Sequence, residues 1–438
     1  MKLNTFKRKV MLVATLGVAL SCGPMGPTAK SSVSSSTVAA AAQAGDVVIE
    51  WNQRAAGLTL TVVPALAPVE QTRVMAIFQL AVHDAVNGIT GEYETYLSPP
   101  APPENASPIA AAIAAAHHSL KSLFSGNDSL LDAQYLNALA VNGLSEDDPG
   151  LDFGRSAAAA ILAARANDHS SQAKFDYDAP GAGDPGVWVR PANTAALLPG
   201  WGDVTPFVLR SGSQFRPEPP PARESELYAR DYNEIKQIGV NNGSTRSVDQ
   251  TNIARFWRAS PTAIWNPVLT QVVQTRNLGL SEKARLFALF YLAAADASIA
   301  CWEAKYEYNF WRPETAIRNG ESDGNDGTAG NPAWSPFVMT PAHPEYPSGH
   351  TTNSAAMAKI LTSAFDDNPG QTLVVTLAGI TRSWHTFSEA LEEVIDARVY
   401  SGIHFRNSDV VGARMGRQVA QFVSKHALRE VRADHKDE

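Results

Sequence analysis

The chain has 438 residues, 44% of them hydrophobic and only 18% charged, with a formal net charge of -8. It can therefore bury a large core, in one large or two fused helical units, and its acidic balance, without a basic stripe beyond the first residues, excludes nucleic acid as a partner. Its two cysteines, Cys22 and Cys301, leave no disulfide framework, because loss or lipidation of Cys22 removes the only possible pair.

Met1 to Lys9 form a basic head, and Val10 to Leu20 form an apolar run too short to anchor stably across a bilayer. Residues 1–21 read as a signal peptide, so the chain is expected to be exported. Cys22, after Ala19-Leu20-Ser21, resembles a bacterial lipoprotein cleavage site, although Ala19 stands where leucine is preferred. The expected product is a periplasmic or cell-surface lipoprotein. Soluble secretion, after cleavage near Ser21 or Ala42-Gln43-Ala44, is the alternative. Residues 22–44, rich in Ser, Ala and Pro, read as a flexible tether.

From residue 45 onward, apolar residues recur at helical spacing. The pattern predicts helices over 67–86, 107–124, 153–166, 246–258, 281–299, 352–365 and 386–400. They fall into an N-terminal helical region, 45–240, and a C-terminal helical bundle, 241–438. Two Pro/Gly-rich stretches, about 178–222 and 318–347, read as long loops, the second shaping whatever pocket lies beyond it. His83-Asp84 and His117-His118 lack a Cys or acidic cluster at ligand spacing and read as satisfied or solvated histidines. His385 is unassigned. No phosphate-cradling Gly loop, heptad array or internal repeat stands out.

Three segments of the C-terminal half carry the chemistry. Lys305 and Arg312 are seven residues apart, about two helical turns, so they share a face. Pro313 disfavours helix at Arg312, which puts the lysine on a last turn and the arginine at the helix end. The second segment, Tyr346-Pro347-Ser348-Gly349-His350, reads as a tight turn opening a helix. Ser348 is its cap, Gly349 lets a ligand approach the backbone amide, and His350 lies in the first turn, where free N–H groups attract anions. The third segment ends a helix at Arg398 to Tyr400, turns at Ser401-Gly402 and presents His404 just beyond. That histidine is suited to bond the central atom of an oxyanion, as a metal ligand or as a nucleophile toward phosphorus. Position alone leaves both roles open. Any one segment alone reads as an ordinary turn or a basic helix end; three in this order, each at a helix boundary, point to a tetrahedral or trigonal-bipyramidal oxyanion.

The triplet resembles the signature shared by the vanadium-dependent haloperoxidases and the type 2 phosphatidic acid phosphatases, over roughly residues 302 to 412. The resemblance implies an all-α fold of two packed helical bundles and one vanadate per chain. It implies that Lys305, Arg312 and Arg398 neutralise the equatorial oxygens, that Ser348 and the Gly349 amide add hydrogen bonds, that His350 is the acid/base at the apical oxygen, and that His404 is the axial vanadium ligand. The family's usual aspartate four positions after the axial histidine is missing here. Asp409 comes five after, and reads as an acidic residue at the start of the final helix; Asp249 is a candidate substitute for orienting His404. Trp302 and His343 resemble residues on the halide side of haloperoxidases, His343 standing where the bromoperoxidases carry histidine and a chloroperoxidase carries phenylalanine. The long N-terminal half also resembles the haloperoxidases more than a small phosphatase.

The expectation is thus a vanadate-dependent haloperoxidase that uses hydrogen peroxide to oxidise halide, bromide in first place and iodide after it, to hypohalous acid, which reaches small organic acceptors. Contact with a membrane is expected only through a lipid on Cys22. The alternatives are an exported acid phosphatase of the same superfamily working through a phosphohistidine at His404, and an exported oxyanion-binding protein without turnover.

Overall fold

The computed structural model describes residues 46–431, which belong to a single compact unit. The signal peptide and the tether read from residues 1–44 lie outside the described residues. Thirteen α-helices dominate: α1 (Val47–Thr61), α2 (Pro68–Thr90), α3 (Pro108–Leu123), α4 (Asp128–Val141), α5 (Pro149–Arg165), α6 (Glu226–Ile238), α7 (Val248–Phe256), α8 (Pro261–Gln274), α9 (Leu280–Tyr308), α10 (Pro313–Arg318), α11 (Gly349–Phe365), α12 (Phe387–Tyr400) and α13 (Arg406–His426). The chain is all-α apart from one antiparallel hairpin, β1 (Leu373–Leu377) and β2 (Ile380–Trp384), in register Leu373 to Trp384. Its two-residue turn, Ala378-Gly379, has both residues at positive φ, the geometry a tight hairpin demands.

Helix α9 is the axis of the molecule. It is long and apolar enough to cross a membrane, but 94% of that apolar stretch is buried by the rest of the protein, so its apolarity serves the core. One side packs on α2, which leads into α3 and α5; another packs on α11 and α13. One continuous apolar cluster therefore runs from Val48 and Met75 through Phe287 and Leu292 to Met357 and Val419. Asp296, fully buried in α9, accepts the backbone N–H groups of Phe207, Val208 and Leu209 at 2.7, 2.8 and 2.9 Å. A carboxylate thus fastens the first long loop to the central helix by three charge-assisted bonds.

The helix ends that matter are built locally. α9 opens with Glu282 accepting the N–H of Gly279 at 2.6 Å and stops at Asn309, whose φ of 44° puts it in the left-handed region while its N–H returns to Lys305 O at 2.9 Å. Arg312 is extended, φ -80° and ψ 154°, as a residue before proline should be, so the guanidinium leaves the helix line and turns inward. α11 and α13 lie close because glycine stands where they touch. A Cβ on Gly416 would fall 2.1 Å from the Thr352 carbonyl oxygen, and the Ala355 methyl packs against the same spot.

Replacing Gly416 with valine therefore forces two backbones apart. Thermal unfolding of Gly416→Val is expected to show a loss of roughly 1–3 kcal/mol or more; an unchanged melting temperature would contradict this packing.

Candidate active site

Where α9, α11, α12 and α13 converge, the structure brings together all seven residues of the three segments. Lys305, Arg312, Arg398, Ser348 and His404 are buried, and His350 is partly exposed at the start of α11. A cavity of about 300 Å³ opens from them to the surface. Its inner end is formed by Gly349, His350, Arg398 and His404. Its outer wall is mostly apolar, with Leu197, Pro261, Trp302, Val338 and Ile403, and Met339 is at the solvent end.

The cations are only partly satisfied. Lys305 Nζ donates to the carbonyls of Pro344 and Glu345, both at 2.9 Å, which leaves the third of its donors unspent. Burial pushes its pKa down to about 7, with Arg312 adding to the fall. Arg312 donates through Nε to His343 O at 2.9 Å and through Nη1 to Ile403 O at 2.8 Å, and the same Nη1 stands 3.2 Å from His404 Nε2. Arg398 donates to Trp257 O at 2.8 Å, but its Nε has no partner, nor has the hydroxyl of Ser348. Ser348 precedes α11 at the cap position, yet its side chain caps nothing. The first-turn amides of α11 beside it have no acceptor within the helix. Gly349 is required here, because a Cβ would meet the Trp302 ring at 3.0 Å.

Both site histidines are held neutral. Burial lowers His404 well below its ordinary value, and Arg312, Lys305 and Arg398 lower it further. His350 is depressed by burial and then by Arg398, although its Nε2 donates to Ala259 O at 3.2 Å. A neutral His404 has one nitrogen lone pair to offer, and its surroundings choose which.

That choice is made by Glu345, a residue the sequence analysis did not single out. Its Oε1 stands 3.0 Å from His404 Nδ1 and accepts the Phe405 N–H at 3.0 Å, while its Oε2 accepts the Ser408 hydroxyl at 2.5 Å. With Phe405 and Ser408 already donating, the carboxylate is the acceptor and Nδ1 carries the proton. The Nε2 lone pair is thus the one on the cavity side, where Arg312 Nη1 stands 3.2 Å from it. Burial pushes the Glu345 carboxyl up, and Ser408, Arg312 and Lys305 pull it back toward the charged form. The residue four positions after His404 is Ser408, so the orienting carboxylate arrives from the loop before α11 and is gripped by the residue at the usual aspartate position.

The other expectations divide. Asp409 sits in the first turn of α13, but it is fully buried rather than a solvated helix start, and neither carboxyl oxygen has a hydrogen-bond partner. Burial raises it, while Ser348 and Arg398 favour its charged form. Asp249 does not orient His404: it lies on α7, 65% exposed, paired with Arg382 at 2.6 Å. Trp302 and His343 do line the cavity, their rings tilted at 5.0 Å, and His343 Nδ1 is 3.0 Å from Arg312 Nη2. His385 is exposed and is not among the residues lining the cavity. His83 bonds Asn87 and the Glu94 carbonyl, Asp84 accepts two backbone amides, and His117 pairs with Asp132. Among the described residues no His, Cys, Asp and Glu cluster is grouped to hold a metal ion.

Three buried cations, two neutral histidines, an orphaned hydroxyl, an orphaned guanidinium N–H and a helix start form a receptor for an oxyanion. Residues 285–433 match the VCPO second helical-bundle domain. The chain is 27% identical over 201 residues to the vanadium chloroperoxidase of Curvularia inaequalis, a stretch covering 39% of this chain and 33% of that protein. The chain thus spans only about a third of this curated relative's length. The whole fold superposes on a bacterial vanadium-dependent iodoperoxidase with TM-score 0.75 and 27% identity, covering 89% of this chain and 97% of the other. A holo-type bacterial vanadium-dependent chloroperoxidase shares the fold, with TM-score 0.66, 19% identity and coverage of 88% and 96%.

Two outcomes follow. Tungstate, a tetrahedral dianion whose charge is constant across the range, should raise the melting temperature. Burial holds Lys305 near pKa 7, whereas a bound dianion keeps it charged, so binding takes up a proton. The stabilisation should therefore shrink as pH rises above about 7, by up to roughly 1.4 kcal/mol per pH unit, and lose this dependence in Lys305→Met. Glu345→Ala, which removes the acceptor of His404 Nδ1–H, should weaken orthovanadate binding about 10–100-fold in equilibrium dialysis, with Asp249→Asn unchanged. Equal affinity in both variants would remove Glu345 from its role.

Proposed function

We propose, for a chain whose fold and second helical bundle are those of the vanadium haloperoxidases, that it binds one vanadate and uses hydrogen peroxide to oxidise halide to hypohalous acid. The observation that carries this reading is His404, whose Nδ1–H is held by Glu345 so that Nε2 is the acceptor nitrogen, beside Arg312 and on a cavity that Arg398 also lines. Bound vanadate would supply a Lewis-acid centre that activates peroxide toward halide without a change of metal oxidation state.

The chain's own residues do the rest. His404 offers Nε2 to the metal. Lys305, Arg312 and Arg398 balance charge on the oxygens, and the unspent Lys305 N–H polarises the oxygen nearest to it. Ser348 Oγ and the Gly349 amide fix the remaining oxygens from the start of α11. His350 is neutral, with its Nε2–H bond to Ala259 orienting the ring, so its Nδ1 would be the atom that takes up and returns a proton beside the bound group. The apolar outer wall limits water near the site and leaves halide and peroxide a narrow approach.

Bromide is the halide we favour, because His343 stands on the cavity wall against Trp302. Iodide follows as the easier ion to oxidise, in line with the iodoperoxidase among the similar structures. The product reaches small organic acceptors by diffusion. Export, with or without a lipid on Cys22, remains the reading of residues 1–44.

The test is bromination of a phenol-based dye by purified protein with peroxide and bromide, with and without orthovanadate, beside hydrolysis of a phosphomonoester. Vanadate-dependent bromination is expected, and His404→Ala should lose it by at least about a hundredfold, as removal of a metal ligand implies. Ester hydrolysis inhibited by vanadate, with no bromination, would make His404 a phosphohistidine nucleophile instead.

A further inference from the structure

Among the described residues there are four methionines. Met75, Met357 and Met415 are buried in the core at 0%, 0% and 1% exposure, whereas Met339 is 85% exposed. Met339 also lines the same cavity as His350, Arg398 and His404. High exposure together with cavity lining puts its thioether where the cavity meets solvent. The segment is not free to swing away. Val338 N–H donates to Ser401 O at 2.9 Å, beside the turn that presents His404, and the hydroxyl of Thr340 donates to Glu314. Both neighbours of Met339 are thus tied down, which holds its backbone at the outlet.

Nothing in halide oxidation calls for a thioether there. An apolar, flexible side chain fills an outlet, but sulfur is also the softest nucleophile on the route out. Trp302, another oxidisable wall residue, is 4% exposed, with its ring tilted against His343. Cys301 is fully buried behind Pro347 and away from the lining.

We propose that Met339 is a self-modification site, the thioether that hypohalous acid meets as it leaves the cavity, and that it is converted to methionine sulfoxide during turnover. The inference rests on the haloperoxidase reading. The sulfur lone pair attacks the halogen of hypohalous acid, forming an S–X bond as the X–O bond breaks and hydroxide leaves. Water then adds to sulfur, halide departs and two protons are released, one of which neutralises the hydroxide. The thioether is oxidised by two electrons, the halogen is reduced to halide, and the net change is one oxygen gained by sulfur. Each event returns the halide and places a polar sulfoxide at a formerly apolar outlet.

The experiment is peptide mapping by mass spectrometry of orthovanadate-loaded protein turning over peroxide and bromide, with excess phenol-based dye in the bulk as scavenger and as monitor of bromination. The expected result is one added oxygen on the Met339 peptide, dependent on both bromide and vanadate, with Met75, Met357 and Met415 unchanged. Per dye molecule brominated, that yield should be several-fold above the yield when hypobromous acid is added from outside to vanadate-free protein with the same dye. Met339→Leu, conservative in volume, should brominate dye at the initial rate of the parent and lose the modification. Bromination with an unmodified Met339, oxidation by peroxide without bromide, equal yields from inside and outside, or attack on Trp302 in its place would each overturn the inference alone. Absence of any bromination would instead remove the haloperoxidase reading beneath it.

Discussion

The carboxylate of Glu345 is the interaction on which the rest of the site depends. It is wholly buried and accepts three donors, His404 Nδ1, the Phe405 amide and the Ser408 hydroxyl. Those donors belong to the turn before α13 and to its first residues, whereas Glu345 belongs to the loop that becomes α11. One side chain therefore locks two backbone segments 59 residues apart and sets the tautomer of the histidine between them. Hydrogen bonds to a charged acceptor contribute about 1.5–3 kcal/mol each. Removing one member of such a buried set costs about 3–5 kcal/mol, because the remaining charge loses its partner. The orientation of His404 is thus fixed before any ligand arrives.

The cations are arranged the opposite way, incompletely satisfied. Lys305 is held by two carbonyls rather than a carboxylate, Arg398 keeps an unpaired Nε, and Ser348 has no acceptor. Burial depresses Lys305 and both histidines, so the ligand-free site carries an electrostatic cost that an oxyanion relieves. The same anion raises the proton affinity of Lys305 and His350, the groups best placed to polarise oxygen or move a proton. Binding and readiness for acid/base chemistry are therefore one event. The cost is tolerated because α9, which carries Lys305, is also the central helix of the core.

How much of this was legible in sequence follows from how local each feature is. Helices α2, α3, α5, α9, α11 and α12 are written in apolar periodicity, which needs only neighbours three and four apart. The three motifs were visible because proline, glycine and serine mark helix boundaries within a few residues. The fold of two packed bundles came from the resemblance and not from periodicity, which does not say which faces meet. Glu345 was hidden because its partner is distant in sequence. Of the carboxylates that were legible, Asp409, shortly after His404, is buried, and Asp249, far before it, sits on the surface with Arg382. The one available signal was an acidic residue enclosed by prolines, Pro344-Glu345-Tyr346-Pro347, immediately before an anion-binding turn. The hairpin β1 and β2 carries its burial on alternate residues, Leu373 and Val375, too short a run to stand out.

The loop leading to Glu345 explains how a proline- and glycine-rich stretch becomes a rigid wall. It read as a long loop over 318–347, yet it is tied down along its length. Arg318 donates to Trp334 O at 2.8 Å, Tyr232 to Ala329 O at 2.9 Å, Asn331 N–H to Ile317 O at 2.7 Å, and Trp334 Nε1 to Lys236 O at 3.0 Å. These bonds anchor it to α6 and α10, so its backbone polar groups are satisfied by fixed partners rather than by mobile water. A rigid wall lets His343 hold its contact with Arg312 and lets Lys305 find the carbonyls of Pro344 and Glu345 at fixed distance. Of the Val338 to His343 stretch, Met339 is the most exposed, at 85%, and it meets solvent at the outlet. The loop therefore positions the oxyanion receptor and fixes the rim of the cavity beside it, and a change in its anchoring should disturb both together.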